Sequence, residues 1–243
     1  MVKMRYLRTC VFYIGVIAAA WGQAPIASLL SSLHSDDVNV REDAFYKLYQ
    51  VPHNLDEPGV GPALVTLLQN EMVVYHSGAP FVSGEGYANY LGVLADAVLH
   101  YVQVSGDLRP LPLLVVQPSV PGSLGEIALA KFGDKIVPAL KMAASGSDSG
   151  GKQTVLDIAG LLLARDRSGA QPVPQSRSDL KTLIVSATKD PNKYVRFSAV
   201  HALHLAADPG DLPLLGEIEA SDPDPDVRDQ ARRAIKAIQS PHA

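Results

Sequence analysis

Two histidines and an aspartate near the C-terminus have a spacing suited to metal binding. His201, His204 and Asp208 fall at positions i, i+3 and i+7, so on a helix their side chains share one face. Imidazole and carboxylate groups are common zinc ligands, and a bound zinc ion activates water for hydrolysis. The spacing therefore permits a metal-dependent hydrolase that uses His201 and His204. The alternative is a solvated polar helix face without metal.

A glycine-rich segment, Gly146-Ser-Asp-Ser-Gly-Gly-Lys152, fits the first seven positions of the phosphate-binding pattern. That pattern requires a preceding strand and a Ser or Thr after the lysine, which holds magnesium. Here the preceding segment is predicted to be helical, Gln153 follows the lysine, and Asp148 would repel phosphate. We interpret the segment as a turn between two helices.

Two pairs of neighbouring residues, Tyr75-His76 and His100-Tyr101, combine an imidazole with a phenol. Each pair permits proton transfer, but each is also typical of a buried helix whose polar end reaches the surface. The single cysteine, Cys10, lies in the N-terminal segment, so the remaining chain has no thiol nucleophile. We therefore expect no catalytic residue and no cofactor.

A repeated motif in the C-terminal quarter organises these residues. Residues 190–203 recur 32 positions later as residues 222–235, with the shared pattern D-P-x-x-x-V-R-x-x-A-x-x-A-[LI]. A period of this length indicates stacked helical hairpins. In each copy the pair Asp-Pro precedes a helix, and we expect the aspartate to cap free N–H groups and the proline to stand in the first turn.

The motif resembles the HEAT repeat, most clearly over residues 178–239. In that family such an aspartate and arginine form a ladder between successive repeats. The resemblance therefore implies a structural role for Asp190, Arg196, Asp222 and Arg228. It also implies an extended concave surface that binds a protein or peptide.

The helical period divides each repeat into two faces. Val195, Ala199, Ala202, Leu203 and Ala206 share the apolar face of the first copy; Val227, Ala231, Ala234, Ile235 and Ile238 share that of the second. By the resemblance, the opposite face of each second helix lines the concave groove. The matched groove residues are Glu42, Tyr46 and Tyr49, then Phe197, His201 and His204, then Asp229, Arg233 and Lys236.

The aromatic residues among these positions are typical of a contact surface. The alternative is that they pack against loops or an adjacent repeat. His201 and His204 align with Arg233 and Lys236, so we expect both histidines to face solvent and to bind no metal.

The same spacing identifies a first repeat near the N-terminus. Val40, Arg41, Ala44 and Leu48 match the motif, although Ser35 replaces its aspartate and Lys47 its second alanine. Between this repeat and the last two, helical segments alternate with Gly-Asp turns. We predict an all-α fold, an α-solenoid (superhelix) of about six HEAT-like hairpins. Residues 25–167 form its N-terminal part, 168–178 a linker or surface loop, and 179–239 two C-terminal repeats.

The first 24 residues have the pattern of an export signal. Lys3, Arg5 and Arg8 precede the apolar run from Thr9 to Ala20, and small residues up to Ala24 provide cleavage sites. We expect an exported protein, periplasmic or extracellular, without stable membrane insertion after signal removal. Cleavage would make the formal charge of −4 more negative by three units. An acidic surface disfavours nucleic acid as a partner.

These observations predict a scaffold or protein-interaction module whose partner is a protein or peptide. A second hypothesis is an enzyme or enzyme accessory similar to the HEAT-like lyases that attach bilin pigments to proteins. Such a protein should bind a coloured tetrapyrrole in solution. The metal-dependent hydrolase is the third hypothesis.

Overall fold

Helices are the one kind of regular secondary structure in the residues that the computed structural model describes: 25–77, 85–116, 124–146, 149–167 and 176–240. The described helices are α1 (Ile26–Ser32), α2 (Val38–Tyr49), α3 (Val60–His76), α4 (Glu85–Ser105), α5 (Leu111–Leu114), α6 (Leu124–Ala130), α7 (Val137–Ala144), α8 (Ser149–Arg167), α9 (Arg177–Ala187), α10 (Lys193–Ala206), α11 (Leu212–Ser221) and α12 (Pro225–Gln239). Short 3₁₀ turns cover Pro52–Asp56, Gly133–Ile136 and Pro209–Asp211. The prediction of an all-α fold is confirmed. No described helix has both the length and the apolar composition needed to cross a bilayer.

The chain divides into two compact units, Met1–Ala63 and Leu64–Ala243. In the described part of the first unit, α1 packs on α2, and the 3₁₀ turn after α2 packs back on the same helix. Phe45 and Leu48 of α2 are fully buried, and Leu33 is almost so. The apolar side of α2 thus forms the centre of this unit.

The start of α2 reproduces the hydrogen bonds of the C-terminal motif. Asp37 caps the helix by accepting from the Asn39 N–H at 2.9 Å. Ser35 Oγ accepts from the Asp37 N–H at 3.2 Å, and Arg41 Nη1 donates to the Ser35 carbonyl at 2.8 Å. Ser35 therefore performs the local turn function of the motif aspartate without its charge.

The C-terminal repeats form the most regular part of the second unit. α8 packs against α10, α10 against α12, and α11 against α12. The predicted apolar positions of α10 are all buried; those of α12 are buried except Ile235, which is half-exposed. These helical hairpins lie side by side, as successive repeats of an α-solenoid do.

A glycine sets the distance between α8 and α10. A Cβ atom added at Gly160 would lie 2.8 Å from Ala202 Cα and 3.1 Å from Ala202 Cβ. The small residues at both positions therefore permit a close approach of the two backbones. The motif alanine at position 202 is one side of this contact.

The capping residues differ from the sequence prediction. Asn192 and Asp224, not Asp190 and Asp222, are the N-cap residues of α10 and α12. Asp190 and Asp222 instead accept from the N–H groups of residues 192 and 224, each at 2.9 Å. The helices begin two residues later than predicted because these two aspartates form a turn that precedes the cap.

The middle of the chain departs from the six-hairpin pattern. α5 has only four residues, and Pro110 precedes it while Pro112 lies within it. Its main neighbours are α4 and α7, whereas α6 packs mainly on α8. The described residues 105–116 and 124–132 therefore do not follow the regular repeat pattern.

Several predicted segments lie outside the described residues. These are the export signal at 1–24 and residues 168–175 of the predicted linker. Their assignments, and the domain boundaries that depend on them, stay predictions. The helix after the linker begins at Arg177, so the last two residues of the predicted linker, Arg177 and Ser178, belong to this helix.

Candidate protein-binding surface

An arginine joins the last two repeats. The Arg196 guanidinium donates from Nε and Nη2 to the two carboxylate oxygens of Asp222, at 2.9 and 3.1 Å. Its Nη1 donates to the Asp190 and Pro191 carbonyls at 3.0 and 3.1 Å. The side chains of Arg196 and Asp222 are only 11% and 6% exposed. One side chain thus closes the turn of its own repeat and binds the turn of the next.

The preceding junction uses a lysine in the same way. Lys152 Nζ lies 3.0 Å from Asp190 Oδ2. Burial opposes the charged form of Asp190, but the Asn192 N–H hydrogen bond, Lys152 and Arg196 outweigh it and lower the pKa of Asp190. The 32-residue repeat alignment did not identify Lys152, because the long segment between α8 and α9 interrupts that spacing. Lys152 belongs to a junction between repeats, which leaves no support for a phosphate-binding role.

Arg228 repeats only half of this arrangement. Its Nη1 donates to the Asp222 carbonyl at 2.6 Å, as Arg196 does to Asp190. Among the described residues, no carboxylate faces its guanidinium as Asp222 faces that of Arg196. The Asp–Arg ladder of the described residues therefore runs from Lys152 through Arg196 and ends at Arg228.

An open cleft of about 410 Å³ lies between α10 and α12. Its lining combines two aromatic side chains with charged groups: Lys193, Tyr194, Phe197, Asp224, Asp226, Val227, Asp229, Gln230 and Arg233. Three predicted groove residues, Phe197, Asp229 and Arg233, are brought together here. His201, His204 and Lys236 lie outside the lining.

The charges of the cleft are paired with one another. Lys193 Nζ lies 3.1 Å from Asp224 and 4.0 Å from Asp226, and these acids raise its pKa. Arg233 lies 2.6 Å from Asp229. The lining holds two cations and three carboxylates, so most of its charge is paired and one acid is in excess. The exposed aromatic residues therefore distinguish this surface from an ordinary solvated one.

Tyr194 and Phe197 are those aromatic residues. They are 59% and 38% exposed, and the Lys193 ammonium lies 5.2 Å from the Tyr194 ring centroid. The repeat alignment did not identify Tyr194 as a groove residue, because it aligns with Asp226 in the last repeat. Tyr194 lies one helical turn before Phe197, and this spacing could have predicted that the two rings share one helix face.

The two histidines are only partly exposed to solvent, whereas the sequence predicts that they face it fully. His201 and His204 are half-buried, and the Nδ1 atom of each lies near Gln230 Nε2, at 3.3 and 3.4 Å. They are covered because α12 packs over this side of α10, whereas Arg233 and Lys236 of α12 are exposed. Burial, and secondarily His204, lower the pKa of His201.

Asp208 is not the third member of a metal site with these histidines. Its carboxylate accepts from the Gly210 N–H at 3.0 Å and lies 3.5 Å from Lys181 Nζ. Within the described ranges, no group of three or more potential ligand residues is placed to hold a metal ion.

The remaining predicted groove residues belong to the first unit. Phe45 is buried, and its ring lies 5.3 Å from that of Tyr46 and 5.6 Å from that of Tyr49, measured between centroids. Tyr46 and Glu42 are half-buried, and Tyr49 is 38% exposed. Burial, followed by the charge of Glu42, raises the pKa of Tyr46. These aromatic residues partly pack on their own unit while leaving Tyr49 accessible.

The tyrosines of the two tyrosine–histidine pairs make a ring contact in one pair and a hydrogen bond in the other. The rings of Tyr75 and His76 meet edge to face, 5.5 Å apart. Tyr101 donates its hydroxyl to Asp107 at 3.2 Å. Hydrogen bonds from Arg109 hold the pKa of Asp107 well below its usual range.

A buried polar cluster escaped the sequence analysis. Glu71 on α3 is fully buried, and both Tyr87 and Tyr90 on α4 donate hydroxyl hydrogen bonds to its carboxylate. Nothing in the local sequence pairs this carboxylate with two tyrosines 16 and 19 positions later. The cluster joins the two helices.

A larger cleft of about 660 Å³ is lined mainly by residues of α9. In its charged lining, Arg177 and Lys181 both contact Asp208, and Lys181 also bonds to Asp211. None of the described residues that line it is aromatic. The cleft between α10 and α12 is therefore the better candidate for binding.

Comparisons with known proteins agree with this architecture over part of the chain. Residues 159–236 match the family model for HEAT repeats. A solved structure of human deoxyhypusine hydroxylase in complex with glycerol is similar at 19% identity, with 98% of this chain and 92% of that chain covered and a TM-score of 0.39. At this similarity nothing about the activity of this chain follows from it. No curated protein matches the chain. The predicted HEAT resemblance is confirmed over residues 159–236 by this family match.

Proposed function

We propose that this chain is an exported, non-catalytic scaffold module that binds a protein partner through the surface formed by α10 and α12. The exposed pair Tyr194 and Phe197, beside a cleft whose charges are internally paired, is the observation that carries the proposal. Aromatic anchors of this kind dominate the binding energy of protein interfaces. HEAT arrays commonly serve as interaction modules, which supports the same function.

The chemistry of the surface favours a peptide segment or loop with an apolar anchor. The two rings offer contact area to an aliphatic or aromatic side chain, and the surrounding ion pairs offer polar contacts at its rim. The rim contains both signs of charge, so strong selection for an acidic or a basic partner is not expected.

The absence of catalysis is part of the proposal. The Nδ1 atoms of His201 and His204 both face Gln230, and Asp208 is engaged with Lys181 and Gly210. These contacts give all three side chains a structural role, so no catalytic role is needed to explain them. Export rests on the basic and apolar pattern of the first 24 residues, and it places the partner outside the cytoplasm.

We expect that changing Tyr194 and Phe197 together to serine reduces partner retention by at least about tenfold. The reason is that truncating an interface anchor typically costs more than 1 kcal/mol. The measurement is affinity capture: immobilised residues 25–243 are incubated with a cell-envelope extract, and the bound partner is quantified by mass spectrometry.

The matched control changes Val73 and Met142 to serine. These two residues are 69% and 64% exposed and lie on α3 and α7, away from the cleft. Equal loss with both double variants would show nonspecific apolar capture and reject the proposed surface. Unchanged capture with the cleft variant would reject it as well.

A further inference from the structure

Two carboxyl groups are buried where α6 packs on α8. Glu126 of α6 is 1% exposed and Asp157 of α8 is 3% exposed, and the two helices are in contact. Among the described residues, Asp157 Oδ1 is the one buried side-chain oxygen or nitrogen without a hydrogen-bond partner. A buried carboxylate is costly without a cation or donors, so this position favours the neutral acid.

The electrostatic surroundings act in the same direction. Burial raises the pKa of Asp157 to about 7, and the charge of Glu126 contributes to that shift. Both effects oppose the carboxylate form.

The charged groups on the other helices that pack against α8 are occupied elsewhere. Arg196 and His201 of α10 contact Asp222 and Gln230 in the following repeat. Lys141 of α7 pairs with Asp179 of α9 at 2.9 Å. Lys181 of α9 bonds to Asp211.

Lys152, on α8 itself, binds Asp190. Among the described residues, Glu126 is the one charged group that contributes to the pKa shift of Asp157.

We propose that the α6–α8 contact is a proton-operated latch, closed while Asp157 is protonated and released when Asp157 and Glu126 are both ionised. The moving element is α6, which has only seven residues. A helix this short is not stable by itself and depends on its packing. Leu129 and Ala130, 5% and 1% exposed, are part of the apolar contact that opposes the repulsion.

The direction of the pH dependence follows from the two protonation equilibria. In the released state Asp157 ionises near the ordinary value of 3.8, and in the closed state near 7. The closed state therefore binds the extra proton between these values. Closure is strongest at low pH, weakens as the pH rises toward 7, and changes little above it.

The test is hydrogen exchange of the full chain between pH 5 and pH 8.5, followed by mass spectrometry. After correction for the intrinsic exchange rate, the protection factor of residues 124–130 should fall about tenfold per pH unit from pH 5 to 7 and then level off. Residues 225–239 of α12 serve as the internal reference, and their corrected protection should not follow this curve.

Two variants test the assignment to this pair. Asp157→Asn, a change of nearly the same size, should abolish the pH dependence of protection in α6. Glu126→Gln should move the levelling point to lower pH, since it removes one cause of the raised pKa. Asp96→Asn is the control, because burial also raises the pKa of Asp96, but this residue lies on α4.

A pH-independent protection factor of α6 in the unmodified chain would overturn the latch. The same conclusion would follow if Asp157→Asn retained the wild-type pH dependence, or if Asp96→Asn abolished it. This test does not use partner capture. A negative result would therefore reject the latch without affecting the proposed binding surface, and the reverse also holds.

Discussion

Replacing Arg196 by methionine is expected to lower the free energy of unfolding of the C-terminal repeats by about 3 kcal/mol. The change removes the bidentate contact with Asp222 and the two bonds to the Asp190 and Pro191 carbonyls. It leaves the Asp222 carboxylate, only 6% exposed, without its cation. Urea denaturation followed by helical circular dichroism gives the difference.

Arg228→Met provides the matched control at the equivalent position of the last repeat. Within the described residues its guanidinium has one backbone bond, to the Asp222 carbonyl, so the expected loss is about 1 kcal/mol. Combining Arg196→Met with Asp222→Asn should cost less than the sum of the single changes, because both remove the same contact. Equal losses for the two arginine variants would contradict the assigned role of Arg196 between repeats.

Gly160→Ala is expected to destabilise the chain by about 2 kcal/mol, although alanine is the better helix former. The added methyl group would lie 2.8 Å from Ala202 Cα. An atom of the helix backbone cannot move away as the end of a flexible side chain can, so α8 and α10 must separate. Thermal and urea unfolding both measure this loss.

Gly216→Ala tests whether the effect belongs to the helix contact. Gly216 lies inside α11, and a Cβ there meets no atom within 4 Å. This variant should be neutral or more stable by up to about 1 kcal/mol. If Gly160→Ala were equally well tolerated, α8 and α10 would not be packed as closely as described.

The C-terminal repeats were predictable because their organisation is local in sequence. The recurrence of Val, Arg and Ala at helical spacing defines the buried side of α10 and α12, and it places Phe197, Asp229 and Arg233 on one surface. Arg196 was also identifiable from its constant separation from the motif aspartate. What the pattern did not give was the capping residue, since Asn192 and Asp190 are both able to accept N–H hydrogen bonds near a helix start.

Features that depend on pairing between distant segments were not predictable. Lys152 contacts Asp190 across an insertion that interrupts the repeat period. The half-burial of His201 requires knowing that α12 covers it. The buried pair of Glu126 and Asp157 joins helices outside the regular motif, where two separate carboxylates give no periodic signal. In each case the sequence contains the residue but not its neighbour.

Site-specific crosslinking tests the proposed binding surface most directly. A photoreactive benzoylphenylalanine would replace Phe197 at the cleft in one variant and Met142 on α7 in another, each in residues 25–243. We predict that irradiation in an envelope extract joins one discrete protein to the chain from position 197 and not from position 142. The same adducts from both positions, or none from position 197, would contradict the assignment of a protein-binding surface to α10 and α12.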